Sequence, residues 1–213
     1  MFESSWPQIM TAILANGPIF DDAFLQKRLQ KIPFWIAADG GLLHFHRLQL
    51  TPHLIVGDFD SIPQSILKEY DHIQQKKFQK DKDQSDLELA MEFRKNMPLF
   101  LFGALYKRMD HTLYNLYLLS RYPENAFIET HLETIFALNK KTTIKTSPGQ
   151  TVSLMPLGTD AKNVTTKGLK WDLNHVTLNP HFMSLSNIAV DNFISINYTE
   201  GSILCFLQKE LNE

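Results

Sequence analysis

In the first half of the chain, short apolar runs end again and again in small or acidic residues. QIMTAILAN (8–16) stops at Asn16-Gly17-Pro18, and FWIAA (34–38) stops at Asp39-Gly40-Gly41. LIV (54–56) stops at Gly57, with Asp58, Phe59 and Asp60 behind it, and PLFLFGAL (98–105) runs into YKRMD. Runs this short and this continuously apolar are the mark of strands buried on both faces. Segments with helical spacing lie between them. Strand–helix alternation of this kind predicts a parallel sheet layered between helices, an α/β domain of three layers. Ligands of such sheets bind beyond the carboxyl ends of the strands, where the small and acidic clusters fall.

The intervening segments carry their own signals. Residues 21–31 place Phe24, Leu25 and Arg28 at helical spacing behind Asp21 or Asp22 as N-cap. Residues 42–48 read as a helix, and 62–70 as a short one with Pro63 in its first turn. Residues 72–78 are poorly apolar and suit an edge strand. Ser85 with Glu88 three residues on forms a capping box for a helix whose stripe is Leu87, Ala90 and Met91. Residues 111–122 form an amphipathic helix with Leu113, Leu116, Tyr117 and Leu119-Ser120 along its apolar side.

In LIVGDFDS (54–61), alternate positions of an extended segment face the same way, so Asp58 and Asp60 project together while Phe59 turns to the core. Two carboxylates that close repel unless a cation lies between them, and hard oxygen ligands with room for substrate oxygens suit Mg²⁺. The same residues serve equally as a polar turn that caps the next helix. No glycine-rich phosphate loop of the GxxxxGK[ST] type is present, so a nucleotide here needs acids acting through metal, helix N-termini and a few bases.

Composition narrows the partners. A net charge of −2 gives no general attraction to nucleic acid or membrane. No apolar stretch approaches the ~20 residues needed to span a bilayer. The start, MFESSWPQ, has an acid and no basic region before an apolar run, which leads us to expect a cytoplasmic protein. The single Cys205 lies in an apolar stretch and suits a buried thiol, and the histidines, His44 and His46 included, lack metal-ligand spacing.

Residues 126–138 read as strands leading out of the first domain, and a boundary is expected near 138. Beyond it the segments are short and β-rich, with turns at Pro148-Gly149, Leu157-Gly158, Asn179-Pro180 and Glu200-Gly201, which predicts a sandwich or barrel. The expected organisation is an α/β domain over 1–138 and an all-β domain over 139–213.

Four motifs stand in order between residues 38 and 116: ADGG (38–41), GDFDS (57–61), KDQSDLELA (82–90) and RMDHTLYNL (108–116). SLMPLG (153–158), GLKWDL (168–173) and SLSN (184–187) follow. Together they make the chain resemble the thiamine pyrophosphokinase family over nearly its whole length. The resemblance implies ATP-dependent transfer of a pyrophosphoryl group to the hydroxyl of thiamine, by Mg²⁺-assisted in-line attack on the β-phosphorus, giving thiamine diphosphate and AMP. It implies that Asp58, Asp60 and Asp86 hold the metal and that Asp39 and Asp110 complete a catalytic set of five acids, Asp39 joining the acidic cluster and Asp110 lying by the substrate hydroxyl. It further implies ATP contacts from Asn16, Gly17, Gly40, Lys82, Ser85, Arg108 and His111. Trp171, Ser184, Ser186 and Asn187 would bind thiamine, the tryptophan by stacking on the pyrimidine. The implied assembly is a homodimer with thiamine between subunits, the β domain serving for both thiamine binding and dimerisation.

Simpler roles stay open for several of these residues. Ser85 and Asp110 suit helix caps, and His111 a plain first-turn position. Lys82 suits a solvated loop, Arg108 a surface ion pair, Trp171 the core, and the Ser184–Asn187 stretch a turn. One departure from the family pattern stands out. Tyr106-Lys107 occupies the place of a glycine pair, where positive φ or close backbone approach is permitted. A different loop path, or a phosphate contact from Lys107, would follow. A related hydroxymethylpterin diphosphokinase and a non-catalytic nucleotide- or thiamine-binding module are the alternative readings.

Overall fold

The computed structural model describes residues 10–81, 83–93 and 98–209. The chain divides into two compact units. One holds the described residues up to Leu116 together with Ile128–His131, and the other holds Tyr117–Phe127 and the described residues from Leu132 on.

The first unit alternates as the apolar runs predict: β1 (Thr11–Leu14), α1 (Asp22–Leu29), β2 (Phe34–Ala38), α2 (Leu42–Arg47), β3 (Leu54–Gly57), α3 (Gln64–Glu69), β4 (Gln74–Lys77), α4 (Asp86–Glu92), β5 (Leu99–Phe102) and the start of α5 (Met109–Leu119). The strands pair in parallel in the order β5-β1-β2-β3-β4. Every residue of β1, β3 and β5 is buried, which accounts for their unbroken apolar sequences. At the edge, β4 is the polar QQKK, and its lysines discourage pairing with another chain. α4 packs across β1, β2 and β3. Asp21 caps α1, its carboxylate accepting from Phe24 N at 2.8 Å. Pro63 stands at the N-cap position of α3 with extended ψ, one step before the first turn expected for it.

α5 buries part of the face expected, Leu119 fully and Leu116 by half, but not all of it. Leu113 and Tyr117 are exposed, whereas Asn115, Leu118 and Leu119 are buried. Asn115 is drawn in because its amide donates to the Ala104 carbonyl at 2.7 Å. A buried amide with a partner competes well with leucine for such a position.

The second unit holds the first residues of β6 (Ala126–Glu129), then β7 (Glu133–Ala137), β8 (Lys141–Lys145), β9 (Thr151–Pro156), β10 (Ala161–Lys167), β11 (Val176–Leu178), β12 (Ser184–Ile188), β13 (Phe193–Asn197) and β14 (Ile203–Gln208). It forms two antiparallel runs, β12-β9-β14-β7 and β11-β10-β13-β8. β8 alternates exposed and buried residues, the pattern of a sheet with one covered face. β7 precedes the boundary expected near 138, yet it pairs along its length with β14, Ala137 opposite Leu204, and so groups with the second unit. The GLKWDL segment is not a strand: β10 ends at Lys167, and Trp171 lies in the turn beyond it.

Candidate active site

A cleft of about 540 Å³ lies in the first unit, lined by the loops that follow β1, β2, β3 and β5 and by the start of α4. Asp39, Asp58 and Asp60 stand on its wall, and one carboxylate oxygen from each falls within 4.8 Å of the others. β2 and β3 run parallel with Ala38 opposite Val56, so the residues that follow them emerge side by side. Gly57 makes room for this, since a Cβ there would lie 2.9 Å from the Asp39 Cβ. Asp39 and Phe59 both carry positive φ, 45° and 69°, a conformation costly outside glycine and concentrated at functional sites. At Phe59 this turn keeps the ring buried while the flanking acids face out.

Asp39 is only 6% exposed, and its Oδ1 is buried with no hydrogen-bond partner among the described residues. A buried carboxylate oxygen beside two further carboxylates is a place where a cation could be held. The donors are all hard oxygens, which fits Mg²⁺ or a similar ion. Asp86, expected among the metal ligands, lines the cleft at the first position of α4 but stands outside the triad, and Asp39 takes the third place. Asp39 was already read as part of the acidic cluster, and the register of β2 against β3 accounts for its place beside Asp58 and Asp60.

Asp58 Oδ1 accepts from Asp60 N at 3.0 Å, which fixes the turn. Asp60 also meets Lys80, Nζ to Oδ2 2.6 Å, and the Ser61 hydroxyl at 3.2 Å. The Lys80 ammonium holds the Asp60 carboxyl below the usual carboxylate range. Lys80 was not singled out from the sequence, where it reads as one of several loop lysines. Lys82 lies outside the described residues.

Other expected residues divide between the cleft and its supports. Asn16, Gly17, Ser85, Arg108 and His111 line it. Gly17 is held close, its N–H donating to Gly103 O at 2.7 Å, and a Cβ would come within 2.4 Å of the Gly103 and Leu105 carbonyls. Gly40 is buried behind the cleft, where a Cβ would strike the Asn16 side chain. Ser85 is also the N-cap of α4, its Oγ accepting from Glu88 N at 3.2 Å. Asp110 is absent from the cleft lining and pairs instead with Arg108, 2.6 Å between Nη2 and Oδ2, each side chain 64% exposed. The Arg108 guanidinium, and after it the His111 N–H, lower the Asp110 pKa.

The Tyr106-Lys107 loop keeps a backbone shape that suits glycine. Tyr106 has φ 75°, and Lys107 N donates to Leu105 O at 3.1 Å, closing a tight γ-turn of the strained hand. Thr112 Oγ1 accepts from Tyr106 N at 3.0 Å, and Phe20 packs on the Tyr106 ring with centroids 5.8 Å apart. Lys107 is thereby brought to the cleft.

In the second unit, Trp171 is 55% exposed, which removes the core role left open for it. Asn187, almost wholly buried, clamps the turn: its Oδ1 accepts from Trp171 N at 3.2 Å and its Nδ2 donates to Trp171 O at 2.8 Å and Ser184 Oγ at 3.2 Å. Ser186 sits in a register irregularity of β12 with φ 52°, its N–H donating to Ser153 Oγ at 2.9 Å. Ser184 and Asn187 thus position the tryptophan, whose side chain stays half exposed with the Lys170 ammonium over the ring, 4.7 Å from its centroid.

Residues 25–131 match the family model described as thiamin pyrophosphokinase, catalytic domain, and residues 141–203 match thiamin pyrophosphokinase, vitamin B1 binding domain. Thiamine pyrophosphokinase 2 of Arabidopsis thaliana is 30% identical over 168 residues, 70% of this chain and 63% of that protein. The matches thus span less than two thirds of the plant relatives' lengths. Thiamine pyrophosphokinase of Bacillus subtilis is 26% identical over 90% of this chain and 95% of its own length. Among solved structures, thiamin pyrophosphokinase from Geobacillus thermodenitrificans superposes with a TM-score of 0.82 at 21% identity, covering 96% of this chain and 99% of that one. The yeast enzyme gives 0.82 at 20% identity, covering 97% and 88%.

Proposed function

Since the chain belongs to the thiamin pyrophosphokinase family, we propose that it transfers the terminal pyrophosphoryl group of ATP to the hydroxyl of thiamine. The thiamine oxygen forms a bond to the β-phosphorus, the bond from that phosphorus to the α–β bridging oxygen breaks, and AMP leaves. The hydroxyl proton departs to solvent or a nearby carboxylate. The observation that carries this reading is the triad of Asp39, Asp58 and Asp60 in a cleft also lined by Lys107, Arg108 and His111.

Asp39, Asp58 and Asp60 are the residues that would hold Mg²⁺, with Asp86 lining the same cleft. Bound there, the ion neutralises the polyphosphate and the charge that grows on the departing AMP. Arg108, Lys107 and His111 bind phosphate oxygens, and Asp110 acts through Arg108 by fixing where its guanidinium points. Asn16, Gly17 and Ser85 offer backbone and hydroxyl contacts to the nucleotide. Trp171, exposed and held by Asn187, stacks on the thiamine pyrimidine, and its face also attracts the thiazolium cation. The match of residues 141–203 to a vitamin B1 binding domain favours thiamine over a hydroxymethylpterin as acceptor. A homodimer and a cytoplasmic location complete the proposal. Among the described residues, no helix is long and apolar enough to cross a membrane.

Product analysis with Mg²⁺, ATP and thiamine tests the reaction. AMP should appear in step with thiamine diphosphate. ADP with thiamine monophosphate would make the protein a simple kinase, and nucleotide binding without turnover would make it a binding module.

A further inference from the structure

Lys80 lies outside the motifs that carry the family resemblance, yet its ammonium is 2.6 Å from an acid of the triad. We propose that Lys80 is a resident counter-ion of that triad, which releases Asp60 and moves onto the polyphosphate when a divalent cation and nucleotide enter. This rests on the metal-dependent reading given above.

Three carboxylates so close need positive charge even when no metal is bound. Lys80 supplies one such charge to Asp60. The side chain is 75% exposed on a four-carbon stem, and an exposed ion pair of this kind is weak enough to exchange. Lys80 lines the main cleft, and with Lys77, Asp58 and Asp60 it also lines a second, open groove that shares the two acids. A swing of its stem therefore keeps the ammonium beside the cleft. A divalent ion sharing the Asp60 carboxylate repels the ammonium, and the entering polyphosphate is the new anion within its reach. The lysine and the metal compete for Asp60, while the lysine and the nucleotide cooperate.

Two binding measurements on the intact protein separate these effects. In Mn²⁺ titrations without nucleotide, Lys80→Gln should bind the ion about two- to fivefold more tightly than wild type, the range set by a weak exposed pair. The same variant should bind the α,β-methylene analogue of ATP with Mn²⁺ at least about twofold more weakly, as expected for a lost phosphate contact. Lys80→Arg, which keeps the charge, should stay near wild type in both. Unchanged Mn²⁺ affinity in Lys80→Gln, or both affinities moving the same way, overturns the proposal. Asp58→Asn distinguishes the two readings. Loss of Mn²⁺ binding there with no effect of Lys80→Gln leaves the metal site standing and removes the counter-ion role. A wild-type protein that takes up no Mn²⁺ with or without nucleotide removes both.

Discussion

His44 holds the cleft loop from beneath. One ring nitrogen, Nε2, is 2.9 Å from the Gly17 carbonyl, and the other, Nδ1, is 3.3 Å from Arg47 Nη2. Arginine can only donate, so Nδ1 accepts and Nε2 carries the proton that Gly17 receives. Only the neutral ring satisfies both neighbours. Burial lowers its pKa below the ordinary 6.5; the Gly17 carbonyl opposes this most, the Arg47 charge adds to the lowering, and Asp22 and the Ala15 backbone oppose it less. Protonation therefore favours the unfolded chain. The stability His44 contributes is whole above pH 6.5 and is lost as pH falls through the depressed folded pKa. Urea unfolding at pH 7.5 and 5.5 should show a larger fall for wild type than for His44→Gln, and equal falls would remove this role. The sequence showed of His44 only that it lacks metal-ligand spacing, because nothing in that spacing shows what its ring meets. Asp39, by contrast, was placed within the acidic cluster through its motif, and the strand register supplies the physical reason.

The turn over Asp39–Gly41 is an element on which the site depends. A Cβ on Gly41 would lie 1.8 Å from the Leu14 carbonyl oxygen, so the turn rests directly on the end of β1. The three nearest atoms, Leu14 O, Leu14 C and Ala15 N, are all backbone, so no side chain can give way. Gly41→Ala should therefore lift the turn and carry Asp39 with it. We expect a loss of about 1–3 kcal/mol in urea unfolding, as for other overpacked sites, together with weaker Mn²⁺ binding. A variant that kept both would show that the turn accommodates the methyl without moving Asp39. Elements bounded by breakers were legible: FWIAA matches β2 residue for residue, and β3 takes in the run LIV with Gly57 behind it. α5 was legible as a helix but not in its orientation. Of the stripe Leu113, Leu116, Tyr117 and Leu119-Ser120, Leu119 is buried while Leu113 and Tyr117 are exposed, and the Asn115 bond to Ala104 O goes with Asn115 and Leu118 facing inward. The Tyr106 turn was flagged only by the resemblance, through the glycine pair whose place it takes, since tyrosine itself gives no sign of a positive φ.

At the scale of the molecule, the two units carry different chemistry. Acids, bases and the cleft lie in the first, and Trp171 with its clamp lies in the second. The change of sequence texture announced this division, although the expected boundary at 138 fell after β7, whose pairing with β14 joins residues far apart in the chain. If each unit supplies one half of the reaction, damage to one should leave the other's binding intact. Asp58→Asn should cut turnover at least about 100-fold, the scale of losing a main electrostatic contact to a transition state, while thiamine affinity by calorimetry stays within about twofold. Trp171→Ala should raise the thiamine KM about tenfold, as expected for a stacking and cation–π contact, and leave the ATP KM within about twofold. Trp171 is exposed and its turn is held through main-chain atoms, so removing the indole should not disturb the fold. A Trp171→Ala protein whose two KM values rose together would deny the tryptophan a thiamine-specific role. An Asp58→Asn protein with near-normal turnover would deny the triad its cation. The crossed pattern requires the acids and the indole to act on different substrates, which is the division of labour that pyrophosphoryl transfer to thiamine demands.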